Sequence, residues 1–357
     1  MTLGVDDITM VYKLVGETLP GGWKVTEMYK RARGTTAGQF SVQYKAERDG
    51  QEYFVKVIDI EKALQTSDLD KWSETVKAQL EAFDYERRLL QKCCDRSLSK
   101  IVRVHGAELY RIPGNAIPIP FLVFEKADGN VKEYINFQDK ADFVWKLKSL
   151  HDIATGIQQL HSIEVIHQDL KPSNILQFKA QSKIGDLGRS KTFGGNGLYD
   201  HESIGGDRAY APLEVIPDYA FLQPKQYLDR NLAMDSYQLG NLMTFYFTGL
   251  NMTALVMKNL KEMGVEGGGT EEEMRSYLQV AFDSSVEEVK RAIEYEEFRE
   301  DIGLMIQQLC NPDPNKRNDE KTLRQRGSNY ALHRYITKLN VLQRRAEIFL
   351  LKDGAIH

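Results

Sequence analysis

This 357-residue chain contains few cysteines, lacks long apolar runs and has no large excess of charge of one sign. Its three cysteines, Cys93, Cys94 and Cys310, have neither the spacing of a disulfide framework nor that of a metal site. The net charge of -4 gives no reason to expect nucleic acid or an anionic membrane as a partner. Met1–Met10 lacks a signal-peptide pattern, and the most apolar stretch, Leu239–Leu250, is too short and too polar to cross a bilayer. We therefore expect a soluble protein of the reducing cytoplasm.

The pattern of apolar residues changes along the chain. Gln39–Asp59 alternates apolar and polar residues around a turn at Arg48–Gly50, which predicts a hairpin of two strands. In Ser67–Cys93 the apolar residues recur every three to four positions, which predicts a helix. The first third of the chain is therefore expected to be rich in strands.

Later segments are mostly helical in pattern. Phe143–His161 reads as one long amphipathic helix. Two capping boxes, Thr270 with Glu273 and Ser285 with Glu288, predict the starts of two further helices. Strands first and helices later predict an α+β fold with two lobes, a small β-rich one and a larger helical one.

Four segments are expected from these changes of pattern. Residues 1–21 form an N-terminal extension that ends in a Pro-Gly-Gly turn signal. The β-rich N-lobe covers about 22–125 and the helical C-lobe about 128–325. Residues 326–357 form a basic helical tail.

Two short motifs lie close together in the second half of the chain. His167–Asn174 reads HQDLKPSN, and Asp186–Gly188 reads DLG. Together they resemble the eukaryotic-type serine/threonine protein kinase family, and the resemblance extends over roughly residues 22–325. It implies a bilobal protein-kinase-like fold and phosphoryl transfer from ATP, with Mg²⁺ as cofactor.

The resemblance implies a role for each polar residue of these motifs. Asp169 matches the aspartate that accepts the proton of the substrate hydroxyl. Asn174 and Asp186 match the two metal ligands, whose oxygen atoms suit magnesium. Lys171 is typical of serine/threonine members, and a cation at this position can reach the transferred phosphate.

An upstream lysine and glutamate complete the implied catalytic set. Lys56 matches the strand lysine that contacts the ATP phosphates, and a carboxylate on the next helix would orient it. Glu86 is the preferred partner because Leu90 then faces the interior of the lobe. Glu81, one or two turns earlier, is the alternative.

The resemblance also implies where the adenine binds. Phe124 would lie beside the base, and backbone groups of Glu125 and Ala127 would form hydrogen bonds with it. Phe54 falls where the family usually has alanine, against the adenine. Its ring would occupy part of the nucleotide site.

The loop that should cover the phosphates has fewer glycines than the family pattern. Gly38 keeps the middle glycine, which lets backbone amides approach a phosphate, while Phe40 is the aromatic at the loop tip and Ser41 replaces the third glycine. Gln43 falls where a valine usually covers the base, unless a shifted register brings Val42 there. An offset strand, a reshaped site and weak nucleotide binding all remain open.

Three further matches lie downstream. Tyr210–Glu214 resembles the end of the activation segment, the stretch that follows Asp186–Gly188. Asp235 resembles the buried aspartate that anchors the catalytic loop. Arg317 resembles the arginine that pairs with that segment's glutamate, here Glu214, and such a buried pair is costly to break on one side only.

Two residues depart from the family pattern, Gln168 inside the motif at 167–174 and Asp207 farther along the chain. Gln168 replaces the arginine that usually binds a phosphate on the activation segment, so we hypothesise that activity does not depend strongly on such a phosphate. Asp207 falls where a threonine often bonds the catalytic aspartate and lysine. It could pair with Lys171 instead.

The function implied is transfer of the ATP γ-phosphate to serine and threonine hydroxyls of protein substrates, including autophosphorylation. The alternative is a pseudokinase, a binding or scaffold module, which Phe54 and the poor glycine loop favour. A small-molecule kinase of the aminoglycoside or choline type is disfavoured, because those enzymes generally lack Lys171 and the downstream Glu214, Asp235 and Arg317. Neither nucleic acid nor a membrane is an expected partner.

Overall fold

The computed structural model describes residues 10–30, 40–112, 117–135, 142–202, 206–265, 270–324 and 329–352. The chain divides into two compact units. The N-terminal unit comprises residues 1–97 and 102–127, and the C-terminal unit comprises residues 98–101 and 128–357.

The N-terminal unit is built on one antiparallel sheet. Its strands are Thr18–Leu19 (β1), Trp23–Met28 (β2), Ser41–Arg48 (β3), Gln51–Ile58 (β4), Val104–Tyr110 (β5) and Ile119–Glu125 (β6). Their order in the sheet is β1-β2-β3-β4-β6-β5. The predicted hairpin is confirmed as β3 and β4, which are joined at Asp49 and Gly50; both residues have positive φ, as a tight hairpin turn requires.

One face of this sheet forms the core of the unit. Alternate residues of the strands point into it because side chains of a strand alternate between faces. Residues that precede the sheet join the same core, and the Tyr44 hydroxyl donates to the carbonyl of Val11. The buried members of the core include Val11, Leu14, Leu19, Trp23, Val42, Tyr44, Val55, Val57, Phe121 and Val123.

Two α-helices and two short 3-10 helices, Met10–Tyr12 and Leu69–Lys71, complete the N-terminal unit as the structure describes it. Helix α1, Ile60–Gln65, begins after Asp59, whose carboxylate accepts from the backbone N–H of Lys62 at 3.0 Å. Helix α2, Trp72–Asp95, confirms the helix predicted from Ser67–Cys93.

The C-terminal unit is mostly helical. Its helices are Val131–Tyr134 (α3), Asp142–Ser162 (α4), Tyr227–Thr248 (α5), Met252–Glu262 (α6), Glu271–Ala292 (α7), Glu296–Leu309 (α8), Glu320–Leu323 (α9) and His333–Lys352 (α10). Its short strands are Gly129–Asn130 (β7), Val165–Ile166 (β8), Ile175–Phe178 (β9), Gln181–Ile184 (β10) and Lys191–Thr192 (β11). Strands β10, β9 and β7 form one sheet, and β11 pairs with β8. The α+β fold, with strands first and helices later, is confirmed.

One predicted helix start is wrong. Thr270 and Glu273 do form a capping box at the start of α7. Ser285, however, lies inside the same helix, where its hydroxyl donates to the carbonyl of Ala281 at 2.7 Å. Asn259 of α6 donates to that hydroxyl at 2.8 Å, so contacts with the surrounding structure replace the capping role.

Helix α10 packs along α4. Its buried residues recur at helical spacing and are Tyr335, Leu339, Leu342, Ala346 and Leu350. Lys338 adds an ion pair with Asp319, 3.0 Å between Nζ and Oδ2. None of the helices in the described part of the chain has the length and apolar character needed to cross a bilayer.

Candidate active site

The N-terminal unit contains a lysine–glutamate pair. Lys56 on β4 extends its Nζ to within 3.0 Å of both carboxylate oxygens of Glu86 on α2. Glu86 is buried, whereas the alternative Glu81 lies at the surface, where its carboxylate is 3.8 Å from Lys77. Of the two glutamates considered from the sequence, the structure therefore pairs Glu86 with Lys56.

The strand register decides between Val42 and Gln43. Gln43 lies opposite Lys56, and Val42 lies opposite Val57 on the buried face. Because neighbouring residues of a strand point to opposite faces, Val42 cannot share a face with Lys56. The offset strand considered from the sequence is therefore wrong.

An aromatic cluster lies beside Lys56 on the same face. Phe54 precedes Lys56 by two residues and is paired with Phe124 across β4 and β6. Its ring centroid lies 6.2 Å from that of Phe124 and 5.9 Å from that of Tyr29. These three residues, the Phe54 cluster, place aromatic surface where the family resemblance puts the adenine.

The loop expected to cover the phosphates is described only at its end. Gly38 lies outside the described residues. The carbonyl of Phe40 accepts from the backbone N–H of Asp59 at 2.8 Å, and Ser41 is the first residue of β3, opposite Ile58. These contacts fix the end of the loop to the end of the β3–β4 pair that lies away from the hairpin turn.

The residues expected to bind the base lie at and after the end of β6. Glu125 is bound to Arg103 twice: its N–H donates to the Arg103 carbonyl at 3.1 Å, and its carboxylate accepts from the Arg103 N–H at 2.7 Å. Lys126 is paired with Glu52 at 3.0 Å. Ala127 is half-buried and lies outside the strands.

In the C-terminal unit three groups contact the carboxylate of Asp169. The Asp207 backbone N–H donates to Oδ1 at 2.8 Å. Asn174 Nδ2 and Lys171 Nζ lie 3.1 Å and 3.0 Å from Oδ2. The carboxylate is buried, so these contacts fix its position and hold a cation beside it.

Helix α5 holds the catalytic loop in place. The carboxylate of Asp235 accepts from the backbone N–H groups of His167 and Gln168, both at 2.9 Å. Gln238, one turn later, donates to the carbonyl of Gln168 at 2.9 Å and accepts from the N–H of Leu170 at 3.0 Å. The anchoring role expected of Asp235 is confirmed. Gln238 was missed, although its spacing from Asp235 puts both on one helix face.

Hydrogen bonds connect the first motif to Gly185, the residue directly before the second motif. His167 Nε2 donates to the carbonyl of Gly185 at 3.0 Å, and the Gly185 N–H donates to the carbonyl of Asn174 at 2.8 Å. Leu187 is fully buried, as expected for an apolar residue at this position. Asp186 has φ 58° and Gln168 has φ 68°, and such conformations of non-glycine residues concentrate at functional sites.

The donor groups of Asn174 and Asp186 fit a magnesium ion. Asn174 commits its nitrogen, which donates to the backbone carbonyl of Asp169 at 2.8 Å, so its oxygen Oδ1 is the atom that can face a metal. The side chain of Asp186 is exposed. An amide oxygen, a carboxylate and phosphate oxygens are the ligands that Mg²⁺ usually takes in such sites.

The structure places both residues that depart from the family pattern, Gln168 in the catalytic loop and Asp207 farther along the chain. Gln168 is buried, and its Nε2 donates to the carbonyl of Asn231 at 3.1 Å. Asp207 Oδ2 lies 3.7 Å from Lys171 Nζ, so the pairing considered from the sequence is present, although Asp169 is nearer.

Gly206, the residue before Asp207, lies directly against Asp169. A Cβ atom at Gly206 would lie 2.5 Å from the carbonyl oxygen of Gln168 and 2.6 Å from Oδ1 of Asp169. Side-chain atoms essentially never approach so closely. Gly206 is therefore a second residue that sequence reasoning missed.

The chain belongs to the protein kinase domain family, whose match covers residues 29–326. The N-terminal β-sheet unit and the helical C-terminal unit have the fold of that family. Phosphorylation of proteins is the general activity that this membership supports.

Similar proteins include kinases of several kinds. The chain is 33% identical over 107 residues to the probable LRR receptor-like serine/threonine-protein kinase RPK1 of Arabidopsis thaliana, a match that covers 28% of the chain. It is 32% identical over 101 residues (26% of the chain) to cell division control protein 2 homolog C of Antirrhinum majus, and 30% identical over 101 residues (27%) to the dual specificity protein kinase pyk3 of Dictyostelium discoideum. The matches span only 19%, 33% and 8% of the lengths of these three proteins.

Proposed function

We propose that this chain transfers the γ-phosphate of ATP to serine and threonine hydroxyls of protein substrates, including its own. The observation that carries the proposal is the arrangement at Asp169, where Lys171 and Asn174 both contact Oδ2 within 3.1 Å. The carboxylate in such a pair can orient a hydroxyl, and the cation beside it can stabilise negative charge on the transferred phosphoryl group.

Each residue has a proposed task. Asp169 accepts the proton of the attacking hydroxyl, and Lys171 stabilises the negative charge that develops on the phosphoryl oxygens. Lys56, oriented by Glu86, binds the ATP phosphates. Asn174 and Asp186 bind Mg²⁺, which neutralises charge on the phosphates when it is present.

The nucleotide has further proposed contacts. The loop with Gly38, Phe40 and Ser41 covers the phosphates, and the backbone of Glu125 and Ala127 binds the base. All three cysteines are free thiols, which supports a reducing setting such as the cytoplasm. We propose a kinase domain at about residues 22–325, preceded by a segment whose β1, Val11 and Leu14 join the sheet and core of the N-terminal unit and followed by a helical tail, α10, that packs along α4.

The test is phosphoryl transfer by the purified chain with ATP and Mg²⁺, followed by mass spectrometry of the modified residues. We expect phosphoserine and phosphothreonine, and a loss of transfer on the order of 10³-fold in Asp169→Asn and Asp186→Asn. Asp283→Asn, on the exposed surface of α7, is the matched control. Phosphotyrosine in the products would show dual specificity instead.

The second candidate is a pseudokinase that acts as a binding or scaffold module, and the Phe54 cluster favours it. Calorimetry of ATP binding with and without Mg²⁺ separates the two candidates. A chain that binds no nucleotide, or that binds it without any Asp169-dependent transfer, would be a pseudokinase.

A further inference from the structure

A buried carboxylate lies in the segment that follows the Asp186–Gly188 motif. Asp200 accepts three hydrogen bonds: one from the Thr192 N–H to Oδ1 at 3.0 Å, and two to Oδ2, from the Thr192 hydroxyl at 2.7 Å and the Gly197 N–H at 2.6 Å. It is only 7% exposed. These hydrogen bonds outweigh the effect of burial and lower the pKa of Asp200, so the group is an anion at neutral pH.

The strand that Asp200 holds is paired with the strand that leads into the catalytic loop. Thr192 and Lys191 form β11, which pairs with Val165 and Ile166 of β8. The next residue after β8 is His167, the start of the catalytic loop. A shift of Thr192 would therefore move β8 through the two residue pairs of β11 and β8. It would thereby move the backbone that carries Asp169.

Neighbouring contacts close the same turn. The buried Lys191 ammonium donates to the carbonyl of Glu202, and Tyr227 of α5 donates its hydroxyl to the carbonyl of Thr192 at 3.1 Å. The Phe193 N–H donates to the carbonyl of Glu164, just before β8, at 3.1 Å. The segment is thus tied to α5 and to the approach to β8 by groups of the unmodified chain.

We propose that Asp200 is a positioning residue for catalysis: its carboxylate fixes Thr192 of β11, the strand paired with β8, so that the catalytic loop is held without a phosphate on this segment. The proposal rests on the proposed function and deepens it. Charge-assisted hydrogen bonds of a buried carboxylate are among the stronger polar contacts in proteins, so they can hold β11 in one position.

A consequence concerns Thr192. Its hydroxyl is the donor in the 2.7 Å contact with Asp200, so a phosphate on that oxygen would remove the donor and place a second anion against the first. Phosphorylation of Thr192 would therefore release the segment and lower activity.

The experiment compares Asp200→Asn, Thr192→Val and Thr192→Glu with the unmodified chain and with Asp283→Asn. Two readouts are used: hydrogen exchange of the 165–200 amides, which needs no activity, and steady-state kinetics with ATP and a protein substrate. We expect faster exchange at Thr192 and Gly197 in Asp200→Asn. We also expect kcat to fall about tenfold or more, with the KM for ATP little changed, because only the positioning of the catalytic loop is lost.

We expect kcat to fall as far in Thr192→Glu as in Asp200→Asn. The fall should be smaller in Thr192→Val, because the valine removes one donor without adding charge. Unchanged exchange and kcat in Asp200→Asn would overturn the proposal, and so would a Thr192→Glu variant as active as the unmodified chain. If Asp200→Asn does not fold, Thr192→Glu decides the question. If every variant and the unmodified chain were inactive, the proposed function would be overturned. The exchange data would still test whether Asp200 holds Thr192 and Gly197.

Discussion

Arg317 and Glu214, 103 residues apart in the sequence, form a two-pronged ion pair in which both side chains are fully buried. Arg317 Nη2 lies 2.7 Å from Glu214 Oε2, and Nη1 donates to Oε1. The guanidinium also donates to the carbonyl of Asn311 at 2.7 Å and stacks over the ring of Tyr237. The pairing expected from the sequence is confirmed, and it joins the end of the activation segment to the loop before α9.

Removal of one partner should therefore destabilise the fold. We expect Arg317→Leu to lower the free energy of unfolding by about 3–5 kcal/mol, because Glu214 would be left as a buried anion without its partner. The control is Arg324→Leu, whose pair with Glu320 is exposed and should contribute about 0–1 kcal/mol. Urea unfolding of both variants measures the difference, and equal losses would contradict the prediction. Arg317→Leu combined with Glu214→Leu should recover part of the loss.

A methyl group at Gly206 should displace Asp169, the proposed catalytic residue. Because the added Cβ would lie 2.5–2.7 Å from atoms of Gln168 and Asp169, Gly206→Ala must move the segment that donates the Asp207 N–H to Asp169. We expect kcat to fall on the order of 10²-fold, as for the misplacement of a catalytic group. Gly194→Ala is the control, since its Cβ would meet nothing nearer than Asn196 Nδ2 at 3.5 Å. A Gly206→Ala enzyme as active as this control would refute the argument.

The Phe54 cluster should limit nucleotide affinity. Phe54→Ala removes the ring that lies between Tyr29 and Phe124 on the Lys56 face of the sheet. We expect the dissociation constant of ATP to fall about tenfold, which corresponds to about 1.4 kcal/mol. Tyr53→Ala on the opposite face, where Tyr53 packs against Trp23, controls for damage to the sheet. Weaker ATP binding in Phe54→Ala than in Tyr53→Ala would show that the ring contacts the base instead of excluding it.

Lys171 lies between two carboxylates of unequal importance. Its Nζ is 3.0 Å from Asp169 but 3.7 Å from Asp207, and the bond from Asp207 to Asp169 uses a backbone N–H that substitution retains. We therefore expect Asp207→Asn to lower kcat less than tenfold, and Lys171→Met to lower it by about 10²-fold or more. Single-turnover kinetics at saturating ATP gives the comparison. If the two losses were equal, Asp207 would share the task of Lys171.

Residues in short motifs could be assigned roles from the sequence because the family resemblance rests on contiguous stretches of the chain. Asp169, Lys171 and Asn174 lie within six positions, so one short motif names all three, although the distant Asp235 and Gln238 hold the loop that carries them. The choice between Val42 and Gln43 could not be made in this way. A slip of one residue moves a strand's whole set of side chains to the other face, and only the pairing with β4 fixes it.

The features that the sequence did not predict depend on contacts between distant segments. Ser285 carries a helix-start signal, but its hydroxyl is satisfied inside α7 by Ala281 and Asn259. Asp200 belongs to no motif, and its proposed role follows only from the turn that brings it back to Thr192. Such partners are set by the folded chain and leave no periodic trace in the sequence.

The positions of Val11, Leu14 and α10 bear on how the chain can be shortened for laboratory work. The family match begins at residue 29 and ends at residue 326, yet Val11 and Leu14 belong to the N-terminal core and α10 packs along α4. A fragment cut at the limits of that match would expose apolar surface at both of its ends, and such surface promotes aggregation. Cuts placed before Met10 and after Lys352 would keep both contacts.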